Sequence, residues 1–323
     1  MENASLRPVG RPLAACVARA CLLGVSLLVA SLSGVAHAEI VDQAASYPEG
    51  ALWRNDAIFY TEMGADQVAY VAGAEKHIYW RERGCGPTSL APYADGLLVL
   101  CHRAGELVAL DATGGVSRRW RRDIAGTPLQ DPNDSSADGR GGVYVSDPGV
   151  FSIDARTTGA IVYLSSDGAL TRVAQGLRYP NGVFVDQAEN ALYVDEHMNR
   201  RVLRYPILPD GTLGPMRVFA DLNVLTRRVG DYAEAGPDGL ERGPSGDLYV
   251  CLYGEGRIVR LARDGHLVAS IAISTPYLTN IAFGPDGAAY VTGAFENVAP
   301  PLRGQVERLG PERLNAPPAA PRR

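Results

Sequence analysis

Four side chains in this sequence could together hold a hard cation: Glu49, Asn133, Asn181 and Asp238. Each follows a proline, in Tyr47-Pro48-Glu49-Gly50, Pro132-Asn133-Asp134, Tyr179-Pro180-Asn181-Gly182 and Pro237-Asp238-Gly239. Two carboxylates and two carboxamide oxygens make an oxygen-only donor set, which suits a hard divalent ion. Two negative charges balance a 2+ ion, and neutral amide ligands leave it Lewis acidity to spend on a carbonyl. Thr88, in Pro87-Thr88-Ser89-Leu90, and Asn280, in Leu278-Thr279-Asn280-Ile281, are read at the same register. The six positions lie 39 to 57 residues apart. A lone Pro-Asp-Gly is an ordinary turn, and Pro285-Asp286-Gly287 reads as one because it separates two apolar strands. Asp238 differs, since the hairpin that follows it is at Pro244-Ser245-Gly246-Asp247.

The elements that must position these residues are strands. Short β-rich runs recur, among them Ala57-Ile58-Phe59-Tyr60, Leu97-Leu98-Val99-Leu100, Gly142-Val143-Tyr144-Val145 and Ala191-Leu192-Tyr193-Val194. Asp-Gly pairs at 95, 138, 167, 264 and 286 punctuate them as turns. A repeat of 39 to 57 residues is the length of a four-stranded blade. The repeat therefore predicts an all-β, six-bladed β-propeller over residues 39–310. If each blade's first strand is innermost, all six residues point into one mouth of the central channel. The segment at Ile40-Val41 is expected to close the ring beside Gly304–Leu309. No Trp-Asp dipeptide ends a blade.

Residues 1–38 read as a signal peptide. Arg7, Arg11 and Arg19 precede an apolar stretch from Cys21 to Val35, and Ala36-His37-Ala38 gives a small-x-small cleavage site. This predicts an exported protein, periplasmic or secreted, with no membrane association after cleavage. The tail at 311–323 is proline-rich and expected to be disordered. A formal net charge of −5, without a basic run, argues against nucleic acid as a partner. In an oxidising compartment Cys85 and Cys101 are a candidate disulfide, leaving Cys251 as a buried thiol in an apolar strand.

The ordered set of motifs resembles the senescence marker protein/gluconolactonase/luciferin-regenerating-enzyme-like family. Its marks here are Pro-Glu-Gly-x-x-Trp (48–53), Pro-Asn-Asp with Val-Tyr-Val-Ser-Asp-Pro (132–148), Tyr-Pro-Asn-Gly-Val (179–183), Gly-Pro-Asp-Gly-Leu (236–240) and Thr-Asn-Ile-Ala-Phe-Gly (279–284). The resemblance implies one catalytic divalent metal and lactone hydrolysis. It implies Glu49, Asn181 and Asp238 as metal ligands, with Asn133 on metal or substrate. Members that prefer sugar lactones often carry Arg two residues before that Asn. Asp131 stands there in this chain, which points away from a sugar-acid lactone.

The expected function is thus a metal-dependent hydrolase acting on an ester bond, a lactonase that opens a cyclic ester with activated water. Calcium, magnesium, manganese, zinc or iron(II) all accept oxygen ligands. Asp238 is the expected general base or water-orienting group, and Asn133 a donor to the developing oxyanion. Thr88, His102, His197 and Asn280 are expected to line the substrate site, the two histidines first as rim residues and second as proton shuttles. No Gly-x-Ser-x-Gly elbow is present. Two alternatives stay open: phosphotriesterase-like hydrolysis on the same metal, and a non-catalytic periplasmic binding propeller with a structural metal.

Overall fold

The computed structural model describes residues 38–297 and 299–315. The predicted signal peptide, apart from Ala38, and residues 316–323 lie outside the described residues. Strand β1 (Glu39–Ser46) opens the chain. A first four-stranded antiparallel sheet follows, in chain order: β2 (Pro48–Arg54), β3 (Ala57–Glu62), β4 (Gln67–Ala72) and β5 (Glu75–Arg81). The second holds β6 (Pro87–Tyr93), β7 (Gly96–Cys101), β8 (Glu106–Leu110) and β9 (Val116–Trp120). The third holds β10 (Ser135–Ala137), β11 (Val143–Asp147), β12 (Gly159–Leu164) and β13 (Leu170–Leu177). The fourth holds β14 (Pro180–Asp186), β15 (Ala191–Glu196), β16 (Arg201–Pro206) and β17 (Arg217–Asp221).

The remaining strands are β18 (Gly236–Arg242), β19 (Leu248–Tyr253), β20 (Arg257–Leu261), β21 (Leu267–Ala272), β22 (Tyr277–Phe283), β23 (Ala289–Ala294) and β24 (Arg303–Leu309). Together with β1 they form one eight-stranded sheet. The all-β propeller architecture is as expected, but the expectation of six separate blades is corrected. Four blades stand as discrete four-stranded sheets, and the other eight strands are one continuous sheet. The cause is local: Tyr253, at the end of β19, pairs with Tyr277, at the start of β22. β1 pairs with β24 in antiparallel register, Glu39 opposite Arg308, so the first and last strands close the ring against each other.

Why these residues form strands follows from how they are covered. β3, β7, β11, β15, β19 and β23 are buried along their whole length. Each is flanked by strands on both edges and by neighbouring sheets on both faces, so its sequence is largely apolar rather than alternating, with polar residues such as Thr61-Glu62, Ser146-Asp147 and Asp195-Glu196 only toward the strand ends. Leu97, Leu98, Leu100 and Leu107 are fully buried, each contributing roughly 2 kcal/mol of apolar burial. The layer between the second and third sheets is typical, with Leu98, Leu100 and Trp120 against Val143 and Val145. Outer strands such as β9 are mostly exposed and accordingly polar.

The expectation that the chain is disordered from position 311 is corrected for residues 311–315. Pro311–Leu314 forms a short helix with Pro311 at its first turn. Leu314 docks into the core beside Ile258, Ile271 and Leu309, and that burial is what orders the segment. Cys85 and Cys101 are joined by a disulfide and Cys251 is a buried free thiol. Among the described residues no helix is long and apolar enough to cross a membrane.

Candidate functional site

Strands β2, β6, β10, β14, β18 and β22 pack side by side around an axis, and β22 returns to β2. A recurring irregularity on these strands builds the site. The β2–β3 register slips between Pro48 and Ala51, β14–β15 between Pro180 and Val183, and β18–β19 between Pro237 and Leu240. Each slip is a bulge, and the bulged residues are Glu49-Gly50, Asn181-Gly182 and Asp238-Gly239. A bulge lifts a residue out of the ladder and re-aims its side chain. That is how an inner-strand residue comes to face the axis.

The glycines are needed for close approach. A Cβ on Gly182 would stand 1.9 Å from the Asp238 carbonyl oxygen, and one on Gly50 2.6 Å from the Ser89 Cα. Glycine lets neighbouring inner strands meet where the bulged side chains converge. Tyr47 (φ 49°) and Tyr179 (φ 54°) precede two of the bulges in the left-handed region, a conformation that costs a bulky residue on the order of 1 kcal/mol.

These features enclose a cavity of about 200 Å³. Glu49, Asn133, Asn181 and Asp238 all line it, together with Thr88 and His102. The rest of its wall is Tyr47, Met63, Phe151, Tyr179 and Tyr253. Two predicted lining residues lie elsewhere. His197 is fully buried behind Asn181, where its Nδ1 lies 3.4 Å from the Asn181 Nδ2. Asn280 lines a second cavity, deeper along the inner strands, and its Nδ2 donates to the Asp134 Oδ1 at 3.3 Å. The slip in β22 spans Thr279 alone, between Leu278 and Asn280. Asn280 is therefore one residue past the bulge, and Thr279 donates to the Pro48 carbonyl at 2.7 Å.

Electrostatics makes this a strained polar floor. Glu49 and Asp238 are both buried, and burial raises each carboxyl well above its ordinary value, with their mutual repulsion adding to the rise at Glu49. Asp134 lies close enough to push both in the same direction. Asp195 is fully buried with neither carboxylate oxygen hydrogen-bonded, and burial raises it likewise. Burial lowers His197 to about 4, so it is neutral. Its Nε2 lies 2.7 Å from the Glu234 carbonyl and must donate there. That fixes Nδ1 as acceptor for an Asn181 amide N–H, while the same amide group also donates to the Asp238 carboxylate, and leaves the Asn181 Oδ1 as its remaining acceptor. This oxygen has no hydrogen-bond partner although it is buried. Burial also lowers His102, against the pull of the neighbouring Asp131 carboxylate.

A divalent cation fits these residues. Two crowded carboxyls, an orphaned amide oxygen and a second amide oxygen are what a 2+ ion would satisfy together. Among the described residues no group of three or more His, Cys, Asp or Glu converges as metal ligands. The set here has only two acidic members, the others being amides. The aromatic wall went unread in the sequence. Tyr47 and Tyr179 stood inside the repeated Tyr-Pro pairs, which were a usable signal, whereas Phe151 and Tyr253 carry no motif.

Known proteins share parts of this sequence and fold. The chain is 27% identical over 192 residues to a lactonase, drp35, of Staphylococcus saprophyticus, and 26% identical over 199 residues to its Staphylococcus aureus counterpart. Those matches span about half of each protein: 57% of this chain and 56% of the S. saprophyticus relative. The fold is shared with regucalcin, a calcium-binding protein of Agrobacterium tumefaciens (TM-score 0.70, 20% identity, covering 85% of this chain and 93% of that one). It is also shared with a gluconolactonase of Xanthomonas campestris (TM-score 0.66, 20% identity, covering 84% and 88%). A family model matches residues 47–295, the stretch from the first bulge tyrosine to just past β23. By that match the chain belongs to the SMP-30/gluconolactonase/LRE-like family.

Proposed function

We propose that this protein is a metal-dependent hydrolase that opens a lactone. The observation that carries the reading is that Glu49, Asn133, Asn181 and Asp238 all line a single cavity. The curated relatives named above, which are lactonases, support the reaction class. Glu49, Asn133, Asn181 and Asp238 would hold a divalent cation, and such a cation supplies Lewis acidity toward an ester carbonyl.

The chain's own residues do the rest. His197 holds the Asn181 amide so that Oδ1 keeps its direction. An Asp238 carboxylate oxygen would take the proton from the attacking water and return it to the ring oxygen as the ester C–O bond breaks, leaving a hydroxy acid. Asn133 positions the substrate oxygen. The aromatic wall excludes bulk water, which strengthens each polar contact inside. Acid release from a panel of lactones tests the reading. Activity that disappears in chelator, returns with a divalent cation and falls at least about 100-fold in Asp238→Asn supports it. Activity indifferent to both treatments refutes it.

Export is part of the same proposal. The Cys85–Cys101 disulfide supports an oxidising compartment. Cell fractionation with N-terminal sequencing of the mature protein checks it, and a cytosolic, uncleaved protein would refute it.

A further inference from the structure

The polar floor leaves half of the cavity unexplained. Tyr47, Met63, Phe151, Tyr179 and Tyr253 form the wall, and among the described lining residues there is no Lys or Arg. Phe151 packs edge-on against Tyr179, with ring centroids 5.0 Å apart, and against Tyr253 at 6.0 Å. Two of the three phenol hydrogens of the wall are committed elsewhere. Tyr253 donates to the Asn297 Oδ1 at 2.6 Å, so in the 2.7 Å Tyr47–Tyr253 pair the donor is Tyr47. Neither hydroxyl has a hydrogen left for a substrate.

The apolar surface also continues outward. Val150 and Ile153, on the loop that carries Phe151, are 66% and 43% exposed. A polyhydroxylated ring entering here would trade hydrogen bonds to water for aromatic faces that return few of them. An alkyl or aryl group would gain burial against the same faces.

We infer that the substrate is a lactone carrying an apolar alkyl or aryl substituent, which lies against Phe151 while the ester carbonyl faces Glu49 and Asp238. The inference rests on the lactonase reading above and adds the substrate class to it. Non-hydrolysable δ-lactams separate binding from turnover. The metal-loaded protein is titrated calorimetrically with δ-valerolactam, 6-phenyl-δ-valerolactam and the lactam of gluconic acid. The phenyl lactam is expected to bind at least about tenfold more tightly than either of the others. Phe151→Ala is expected to shrink that ratio, as is Met63→Gln, a second wall position that serves if the first variant does not fold. Equal affinities, or tightest binding of the gluconic lactam, overturn the inference. A phenyl preference in a protein that opens no lactone would sink the lactonase reading and leave the apolar preference of the cavity standing.

Discussion

The hydroxyls of Tyr47 and Tyr253 lie 2.7 Å apart in the buried wall of the cavity, although the residues are 206 positions apart in sequence. From Tyr253 the chain of hydrogen bonds runs outward through Asn297 to Tyr232 and then to Glu234. It ties the segment after β23 and the segment before β18 to the first bulge. Tyr253→Phe breaks the chain at its second member and leaves the Tyr47 hydroxyl buried without an acceptor. Its expected cost is about 1–3 kcal/mol, read as a shift in the urea midpoint at constant m-value. An unchanged midpoint would mean the relay holds nothing together.

Gly182→Ala probes the bulges. The added methyl would meet the Asp238 carbonyl at 1.9 Å, and that atom is backbone, so the strands must part. A loss of about 3 kcal/mol is expected, together with weaker cation binding, because Asn181 and Asp238 separate with their strands. Gly176→Ala isolates backbone strain instead: nothing stands within 4 Å of a Cβ there but φ is +74°, so a smaller loss of about 1 kcal/mol is expected, with cation binding unchanged.

The buried neutral His197 sets an acid limit on stability. Its imidazole titrates near 4 in the folded protein, against 6.5 when exposed. Between those values the unfolded chain binds the extra proton, so stability rises with pH across the window. It is fully present above pH 6.5 and lost as pH falls toward 4, by about 3 kcal/mol. The raised carboxyls of Glu49, Asp238 and Asp195 slope the other way in the same window, so the His197 share is read as the difference between thermal melts of the parent and of His197→Gln from pH 4 to 7.

Much of the site was legible because it repeats. Pro-x-Gly marks three bulges by one rule, and a rule applied at regular spacing is visible without coordinates. Asn280 failed where the repeat was loosest: its bulge spans one residue instead of two, so counting from the motif landed one position late. Asn181 could be placed, but not its orientation, because the histidine that orients it comes from the following strand's end. The wall was illegible for another reason. Phe151 sits on a loop outside the repeat, and Tyr253 ends an apolar run that reads as core. The merging of the last eight strands into one sheet depends on a single pairing, Tyr253 with Tyr277, too small a feature to leave a pattern.

The central claim is that four oxygen-bearing side chains share one cation, and a metal titration addresses it most directly. Metal-free protein titrated with manganese, with the free ion followed by electron paramagnetic resonance, should take up one ion per chain. Glu49→Gln and Asp238→Asn should each weaken that uptake by about 100-fold. Both variants should fold at least as stably as the metal-free parent, since each removes one of two carboxyls that burial and crowding disfavour. Stoichiometric binding undiminished in both variants would contradict the account.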